Sequence, residues 1–393
     1  PELERRAASS APPRLGWPAP PDPGIAIDDT ERDLAVLERL LADTNAKGHA
    51  RYLLDANPIL ARSLRSRWQR WDKKWREADG LVRGERLASS GLRKRAYSAS
   101  ALQQFAICPY RFFLYSIHQL RPREEAAALE QMDPLTRGAL FHRVQLEWFR
   151  ALRAQPQASE RLLDLADEVL NRVATEFEQK LAPAIPRVWR DEIEALRSDL
   201  RGWVRHTSGD AWQPLHAEFA FGLPHSSERD PSSHPDAVAV LDGVRLRGSI
   251  DLIEKHPQGG ALRITDHKTG KAPERVPAYT GGGEFLQPIL YSLATEKLFG
   301  ATVESGRLFY CTQRGSYTEV TVPLDRLARN FVTVIANAVD QSLEAGFLPP
   351  APKRGACELC DYRVVCGPYE EMRFKLKLAD DRLDTLGEVR NQP

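Results

Sequence analysis

The chain has 393 residues, more than one compact core usually holds, so its length predicts two or three domains or subdomains. Its 42% hydrophobic and 8% aromatic content is typical of a globular protein. With 55 basic against 54 acidic residues, net charge indicates no partner, and any affinity for nucleic acid must come from local basic patches. The sequence contains neither a run of 18 apolar residues nor a signal-peptide pattern, so we expect no membrane insertion and a cytoplasmic location.

The N-terminal part divides into an arm and a helical region. Residues 1–27 are rich in proline and have no hydrophobic period, which predicts an extended arm or linker. Residues 28–95 have helical patterns, and one helix is predicted to open at Asn57 as its cap with Pro58 in its first turn. Because the first residue is proline, we expect the chain to be a fragment of a longer protein.

Trp68, Trp71 and Trp75 follow at helical spacing. One interpretation is a platform on which bases stack, with neighbouring basic side chains holding phosphates. The other is a buried stripe that packs this helix on its neighbour, with a solvated basic face, and the periodicity favours it. The basic residues concerned are Arg62, Arg65, Arg67, Arg70, Lys73, Lys74 and Arg76.

Helices dominate the next hundred residues. Ser98 or Ser100 is a candidate cap for a helix that contains Phe105. Helical patterns continue through "LTRGALFHRVQLEWFRALR" and over residues 159–182 and 187–206.

Strands then follow. In "LHAEFAFGL", alternation predicts one strand with His216 and Glu218 on the polar side. The apolar side would hold Leu215, Ala217, Phe219 and Phe221. "AVAVLDGVRLRGSID" predicts a hairpin that turns at Asp242-Gly243.

Three charged side chains flank the next turn. On the strand predicted for "ALRITDHK", Asp266 and Lys268 emerge on one face and His267 on the other. Asp251 ends the preceding predicted strand, and antiparallel pairing would place its carboxylate beside Asp266. Two carboxylates repel unless one is protonated or a cation lies between them, and Mg²⁺ is bound by such groups. A structural ion pair is the alternative.

The remaining elements complete a fold class. A glycine-rich loop precedes a helix from about residue 287, strands near 303–311 and 317–322, and a helix over about 325–345. Helices before and after a run of strands predict an α/β fold with a mixed sheet flanked by helices.

Three cysteines form C-x₂-C-x₅-C in "CELCDYRVVC". In a cytosolic chain this spacing predicts a metal or cluster site, which needs a fourth ligand. Both a Cys₄ zinc site and a [4Fe-4S] cluster use thiolates. Cys311 lies in an apolar strand and is predicted to be a buried small hydrophobe.

The motifs together resemble the PD-(D/E)xK nucleases, in particular the RecB type. "GSIDLIE" followed by "ITDHKTGKAP" is similar to their Gly-x-Ile-Asp and Asp-Tyr-Lys-Thr-Gly, "RGALFH" to their Gly-x-x-x-His, and "FLQPILYSLA" to their Gln-x-x-x-Tyr helix. The sequence departs from the pattern at Leu252, usually Arg, and at His267, usually Tyr. The resemblance implies a restriction-endonuclease-like fold.

The resemblance also implies a role for each matching residue. Lys268 would act on the attacking water and the phosphate, Gln287 and Tyr291 would support it or contact DNA, and Glu218 matches a further acidic position. The implied ligands of Mg²⁺ or Mn²⁺ are His142, Asp251, Asp266 and the backbone carbonyl of His267.

Cys-Pro followed by aromatic residues ahead of these motifs, with three cysteines after them, is similar to the iron-sulfur nuclease domains of AddB-type helicase-nucleases. This resemblance implies a nuclease domain over 96–370, a C-terminal tail over 371–393, and 28–95 as a possible remnant of a helicase-like domain. The implied ligands of a [4Fe-4S] cluster are Cys108, Cys357, Cys360 and Cys366.

The resemblance thus implies a metal-dependent DNase, an exonuclease acting on single-stranded DNA ends in double-strand-break repair, within a helicase-nuclease. Three alternatives stay open at this point. They are a stand-alone nuclease of the RecB-like or exonuclease V type, a catalytically inactive DNA-binding module, and a structural metal domain that bridges protein partners.

Overall fold

The structure is a computed structural model that describes residues 19–43, 51–122, 129–155, 161–274 and 278–393. Most of the predicted arm, residues 1–18, lies outside the described residues. Its described end forms a 3₁₀ turn over Pro23–Ile25, capped by the Asp22 side chain. None of the described helices is both long enough and apolar enough to cross a membrane.

Three helices follow the arm: α1 (Asp29–Ala42), α2 (Arg51–Ala56) and α3 (Pro58–Gln69). Helix α3 begins as predicted, because the Asn57 side chain accepts a hydrogen bond from the Leu60 amide at 3.0 Å. Leu60 and Leu64 of α3 pack with Leu37 of α1. This small core holds the first helices together.

The prediction of a buried tryptophan stripe is wrong. Helix α3 ends at Gln69, so Trp71 and Trp75 lie beyond it. Trp68 is 57% exposed and Trp71 44% exposed, and only Trp75 packs inward, with its ring 5.2 Å from that of Phe347. Helical spacing in the sequence therefore does not correspond to a buried helix face here.

The next helices are α4 (Ala99–Ile107) and α5 (Pro109–Phe112), and a π-helical turn, Phe113–Ile117, continues the second. The Ser98 side chain caps α4. Helices α6 (Pro134–Ala154), α7 (Leu162–Leu181) and α8 (Pro186–Ser208) then form a layer of their own. Phe141, Trp148 and Trp203 lie in its core, which packs on one face of the sheet.

Five of the seven strands among the described residues form one mixed sheet. The strands are β1 (Gln213–Phe221), β2 (Val238–Ala239), β3 (Arg245–Leu246), β4 (Gly248–Lys255), β5 (Leu262–Lys268), β6 (Val303–Tyr310) and β7 (Thr318–Pro323). The order in the large sheet is β1-β4-β5-β6-β7, with β5 and β6 parallel and the other neighbours antiparallel. Strands β2 and β3 form the predicted small hairpin, whose turn residues Asp242 and Gly243 both have positive φ. The predicted mixed sheet between helices is confirmed.

The other face of the sheet is covered by α9 (Gln287–Phe299), α10 (Arg326–Glu344) and α4, which share a second core with the sheet. Three short helices end the chain: α11 (Arg363–Cys366), α12 (Glu370–Leu376) and α13 (Asp384–Arg390). Leu87 and Leu92 from the N-terminal part, and Leu386 and Val389 from α13, are buried in this core. The sheet therefore separates two cores, and the flanking segments complete the second.

Strand β1 departs from the predicted alternation at Glu218. This residue has a φ of 53°, in the left-handed region that few residues other than glycine adopt. Ala217, paired with Leu252, packs in the α6–α8 core, whereas Phe219, paired with Ile250, packs in the opposite core. The prediction that Ala217 and Phe219 share one face is therefore wrong, and the strand pair changes faces at Glu218 and Asp251.

Candidate active site

The two strands that contain the predicted acidic residues separate where those residues lie. The β4–β5 ladder runs from Lys255–Leu262 to Leu252–Thr265, and Asp251 and Asp266 come one step later. Instead of pairing through its backbone, Asp251 uses its side chain, whose Oδ2 accepts a hydrogen bond from the His267 amide at 2.6 Å. The opening between the strands holds both carboxylates near the end of the sheet.

Helix α6 supplies an imidazole to this opening. His142 Nδ1 lies 3.5 Å from Glu218 Oε1 and 3.6 Å from Asp251 Oδ2. One turn earlier, Gly138 faces the end of β5, where a Cβ would lie at the ordinary contact distance of 3.5 Å from Thr269 Oγ1. The predicted Gly-x-x-x-His spacing thus places α6 against the end of β5 and its imidazole beside the two carboxylates.

His142, Glu218 and Asp251 form a group whose ligand atoms all lie within 4.8 Å of one another. The unusual backbone of Glu218 aims its carboxylate here, and Ser249 Oγ donates a hydrogen bond to its Oε2 at 3.1 Å. Strained backbone of this kind clusters at functional sites. Within the described part of the chain, this is the one such group of histidine, cysteine and acidic residues.

Asp266 lies beside this group and binds the lysine. Lys268 Nζ is 2.6 Å from Asp266 Oδ2 and donates to Gln287 Oε1 at 2.7 Å. The sequence predicts His142, Asp251 and Asp266 as the side chains that bind the metal, but the compact group contains Glu218 in place of Asp266. The predicted residues therefore lie close together and have two roles. His142 and Asp251 belong to the group that could bind a cation, and Asp266 binds the ammonium of Lys268.

Helix α9 reaches this neighbourhood because of two glycines. A Cβ at Gly306 of β6 would collide with the carbonyl group of Pro288, so Gly306 allows the start of α9, and with it Gln287, to lie against the sheet. A Cβ at Gly248 would lie 2.8 Å from the hydroxyl oxygen of Tyr291. Tyr291 is buried, and burial together with the nearby aspartates raises the pKa of its hydroxyl, so it stays protonated.

The electrostatics of the site show an excess of negative charge. Burial raises the pKa of Asp251 to about 7, and repulsion from Asp266 and Glu218 adds to this rise. Burial alone would lower the pKa of His142, but Asp251 and Glu218 outweigh it and raise that pKa to about 9. Burial would also lower the pKa of Lys268, but the Asp266 carboxylate outweighs burial and raises that pKa. In the absence of metal, protons bound to His142 and Asp251 thus reduce the excess negative charge of the site. A divalent cation would neutralise the same charge in their place.

His267 has the packing role that strand geometry predicts. Its imidazole is buried on the face opposite Lys268, where Trp203 Nε1 donates to its Nε2 at 3.3 Å. Burial and the nearby cationic groups lower its pKa well below the ordinary value, so the ring is neutral. Ligation of a metal by its carbonyl group stays a prediction.

The four cysteines predicted to bind a cluster line one pocket, although Cys108 lies far from the other three in the sequence. Its lining includes Cys108, Cys357, Cys360 and Cys366. Burial raises the pKa of Cys108 and of Cys357 to about 12, so both are thiols until a metal displaces their protons. Cys311 is buried elsewhere, in the α6–α8 core.

Basic groups surround the cysteine pocket. Arg373 Nη2 lies 3.6 Å from Cys366 Sγ and donates to the Cys366 carbonyl at 2.8 Å. Arg70 Nη1 donates to the same carbonyl at 2.6 Å. Such donors and charges stabilise thiolates bound to iron or zinc.

Several functional neighbours were missed in the sequence. Ser249 lies within the quoted "GSID" motif, where its strand position next to Asp251 was the available signal. No local signal links Trp203 to His267, or Arg70 and Arg373 to Cys366, because these contacts join segments distant in sequence.

Comparison with known proteins agrees with this geometry. The model of the PD-(D/E)XK nuclease superfamily matches residues 96–367, which span every acidic residue, the lysine, the histidine and the four cysteines described above. A search of curated proteins found no match. The matched segment covers well over half of the chain and contains the complete candidate site, so the chain belongs to the PD-(D/E)XK nuclease superfamily.

Proposed function

We propose that the chain is a metal-dependent DNA nuclease, an exonuclease that acts on single-stranded DNA ends in double-strand-break repair as part of a helicase-nuclease. The observation that supports it best is the convergence of His142, Glu218 and Asp251 beside Lys268. Membership of the superfamily supports phosphodiester hydrolysis, and the open strand ends provide the place for it.

The residues at the site fit a hard divalent cation. Carboxylate oxygens suit Mg²⁺ or Mn²⁺, and a neutral imidazole adds a borderline ligand that Mn²⁺ accepts. We assign metal binding to His142, Glu218 and Asp251, with Asp266 and the carbonyl of His267 as further ligands. When bound, such an ion activates water for attack and neutralises charge on the phosphate.

The other residues act on the substrate side. Lys268, held between Asp266 and Gln287, presents its ammonium to the phosphate and stabilises charge that grows in the transition state. Gln287 fixes the direction of the lysine side chain, and buried Tyr291 keeps α9 in register with β4 through its contact at Gly248. These assignments give each residue of the motif one task.

We assign a [4Fe-4S] cluster to the cysteine pocket. Structural zinc sites usually take their four ligands as two close pairs, whereas here Cys108 lies far in the sequence from the other three cysteines of the pocket. This arrangement favours a cluster in which each thiolate binds a different iron. The cluster would join Cys108 to the segment 357–366 and stabilise the domain.

The cellular context is part of the same proposal. Thiols that bind a cluster must stay reduced, which supports a cytoplasmic location. Single-stranded ends arise when a helicase unwinds a broken duplex, which supports a helicase partner or a helicase domain. Residues 28–95 are then the remnant of a helicase-like domain that precedes the nuclease domain 96–370, and residues 371–393 form a C-terminal tail.

The nuclease proposal is tested on labelled single-stranded DNA with and without Mg²⁺ or Mn²⁺. Asp266→Asn and Lys268→Ala should abolish degradation. Lys271→Ala is the matched control, because Lys271 lies three residues further along and is exposed, with only Glu274 as its ion-pair partner. Equal degradation by all variants would refute the proposal, and tight DNA binding without any metal-dependent cleavage would identify an inactive binding module.

The cluster is tested by metal analysis of protein purified without oxygen. We expect a brown sample with about four iron and four sulfide per chain, and loss of both in Cys366→Ser. Cys311→Ser is the control, because Cys311 lies outside the pocket. A colourless protein that contains zinc would overturn the cluster assignment and leave the nuclease proposal standing.

A further inference from the structure

A group of aromatic and basic side chains lies beside the cysteine pocket, outside the catalytic site. We call it the tryptophan surface. It consists of Trp68, Trp71, Tyr369, Arg67, Arg70, Lys73 and Lys74. Trp68 and Trp71 are one turn apart, and the ring of Tyr369 lies 6.1 Å from that of Trp71. Their exposed fractions, 57%, 44% and 58%, are unusual for side chains of this size.

The backbone holds these rings in place. Tyr369 has a φ of 62°, a left-handed conformation that a bulky residue rarely adopts. Arg70 donates to the carbonyls of Val365 and Cys366 and so ties the segment after α3 to the turn before Tyr369. The aromatic rings are therefore presented to solvent by a fixed framework, and the strained residue is one of the three.

The surface carries unneutralised positive charge. In the segment from Arg62 to Arg76, Asp72 is the one acidic residue, and it pairs with Arg76 at 2.6 Å. Lys73 and Lys74 are exposed and have no ion-pair partner among the described residues. Burial lowers the pKa of Arg67, and the nearby charges of Arg70 and Arg373 lower it further. Anionic groups would relieve this repulsion.

Exposed rings interleaved with unpaired cations fit single-stranded nucleic acid, because bases stack on aromatic side chains while phosphates bind arginine and lysine. A neutral protein partner would use the aromatic rings but would not require the run of cations, whereas single-stranded DNA uses both. We propose that the tryptophan surface is a second contact site for single-stranded DNA, where bases stack on Trp68, Trp71 and Tyr369. This inference rests on the proposed nuclease function and adds a site distinct from the catalytic residues.

The test measures the affinity of the full chain for fluorescein-labelled (dT)₂₀ by anisotropy, without divalent cations and over a range of salt concentrations. Trp68→Ala and Trp71→Ala should each weaken binding roughly 5- to 100-fold and leave the salt dependence unchanged. Phenylalanine at both positions should restore most of the affinity. Lys73→Gln should weaken binding and reduce the slope of log affinity against log salt by about one.

Controls separate this proposal from the preceding one. Leu327→Ala removes an equally exposed apolar side chain on α10, and Arg190→Gln removes an exposed cation on α8, so both should bind like the wild type. Hydrolysis of bis(p-nitrophenyl) phosphate, which is too small to span two sites, should be unchanged in the tryptophan variants. Inactivity of the wild type on this ester and on DNA would instead refute the nuclease proposal.

Unchanged (dT)₂₀ affinity in the Trp68→Ala/Trp71→Ala double variant would overturn the inference. If that variant also loses a self-association that the wild type shows in sedimentation, the tryptophan surface is a contact between copies of the chain. Both rings are exposed, so the double variant should keep the wild-type circular dichroism spectrum, which verifies that it is folded.

Discussion

Two groups of charged residues meet at strands β4 and β5 and have opposite electrostatics. In the candidate active site, three carboxylates share one lysine and one histidine. A few residues away is a second group, the arginine network, in which each carboxylate contacts a guanidinium. Its members are Asp210, Glu254, Arg263, Arg307 and Glu319. Glu254 and Arg307 are almost completely buried, yet both are fully paired.

The pKa directions express this difference. Burial would raise the pKa of Asp210, but hydrogen bonds and charge from Arg263 outweigh it and lower that pKa. At Asp251, burial and neighbouring carboxylates act in the same direction and raise the pKa to about 7. A network evolved for stability alone would resemble the first case. The excess charge of the second indicates a site completed by a cation.

The largest effect should follow removal of one charge from the active site. Asp251→Asn should lower the rate of DNA cleavage by about 10³-fold or more, because a metal ligand is lost. The same change should leave the melting temperature of the metal-free protein unchanged or raise it, because one of three repelling carboxylates is gone. Activity assays with Mg²⁺ or Mn²⁺ and thermal unfolding in metal-free buffer test the two parts. A fall in both would mean that the carboxylate is structural.

The corresponding change in the arginine network should have the reverse outcome. Glu254→Gln leaves Arg263 and Arg307 buried beside a neutral side chain, and breaking a buried pair costs about 3–5 kcal/mol of unfolding free energy. Cleavage per folded molecule should stay close to the wild-type rate. Urea unfolding and assays below the transition check this, and wild-type stability would show that Glu254 is not needed by its partners.

The sequence predicts the active-site group but not the arginine network. The spacing of Asp266 and Lys268, and the turn before them, were sufficient to predict one face of a strand and the neighbouring Asp251. The arginine network joins five segments, and nothing in the local sequence of Arg307 or Asp210 indicates a partner. Long-range contacts of this kind depend on the order of strands in the sheet, which one sequence does not specify.

Alternation also failed at a particular point. A strand read with period two keeps Ala217 and Phe219 on one face, but the left-handed Glu218 rotates the chain between them. The same change of face brings Glu218 close to His142. The predicted set of metal ligands therefore did not include Glu218, which the structure groups with His142 and Asp251. The tryptophan spacing failed for a related reason, because helix α3 ends before the pattern does.

The two groups should also respond to pH with opposite sign. The pKa of His142 is raised from 6.5 to about 9, so its stabilising contribution is complete below pH 6.5 and is lost as pH rises through 9. Asp251, raised from 3.8 to about 7, adds a loss between those values. Asp210, with its lowered pKa, contributes stability above 3.8 that is lost in acid.

Thermal unfolding without metal should therefore show stability falling by about 3 kcal/mol between pH 6.5 and 9. His142→Gln should remove most of this slope, whereas Glu254→Gln should keep it. A flat profile for the wild type would mean that the imidazole does not gain a proton from its acidic neighbours.

Bound metal should replace the stability that is lost when protons leave the active site at high pH. At a concentration 100 times its dissociation constant, Mn²⁺ should stabilise the wild-type fold by about 2.7 kcal/mol. At one fixed Mn²⁺ concentration the gain should be greater at pH 8.5 than at pH 6.5, because bound metal displaces protons from His142 and Asp251 and therefore binds more tightly at the higher pH. Glu254→Gln should show the full gain and Asp251→Asn almost none. Equal gains in both variants would place the cation outside the candidate site.

The smallest effect is expected for a half-exposed member of the arginine network. Glu319 pairs with Arg307 at 3.1 Å but is 41% exposed, and exposed pairs contribute about 0–1 kcal/mol. Glu319→Gln should thus change the unfolding free energy by less than 1 kcal/mol, since Glu254 and Asp210 still neutralise the guanidinium. A loss as large as that of Glu254→Gln would mean that Arg307 needs all three carboxylates. The stability of the network would then depend on every one of its charges, as we propose for the active site. In that case an excess of negative charge would not by itself distinguish the two groups.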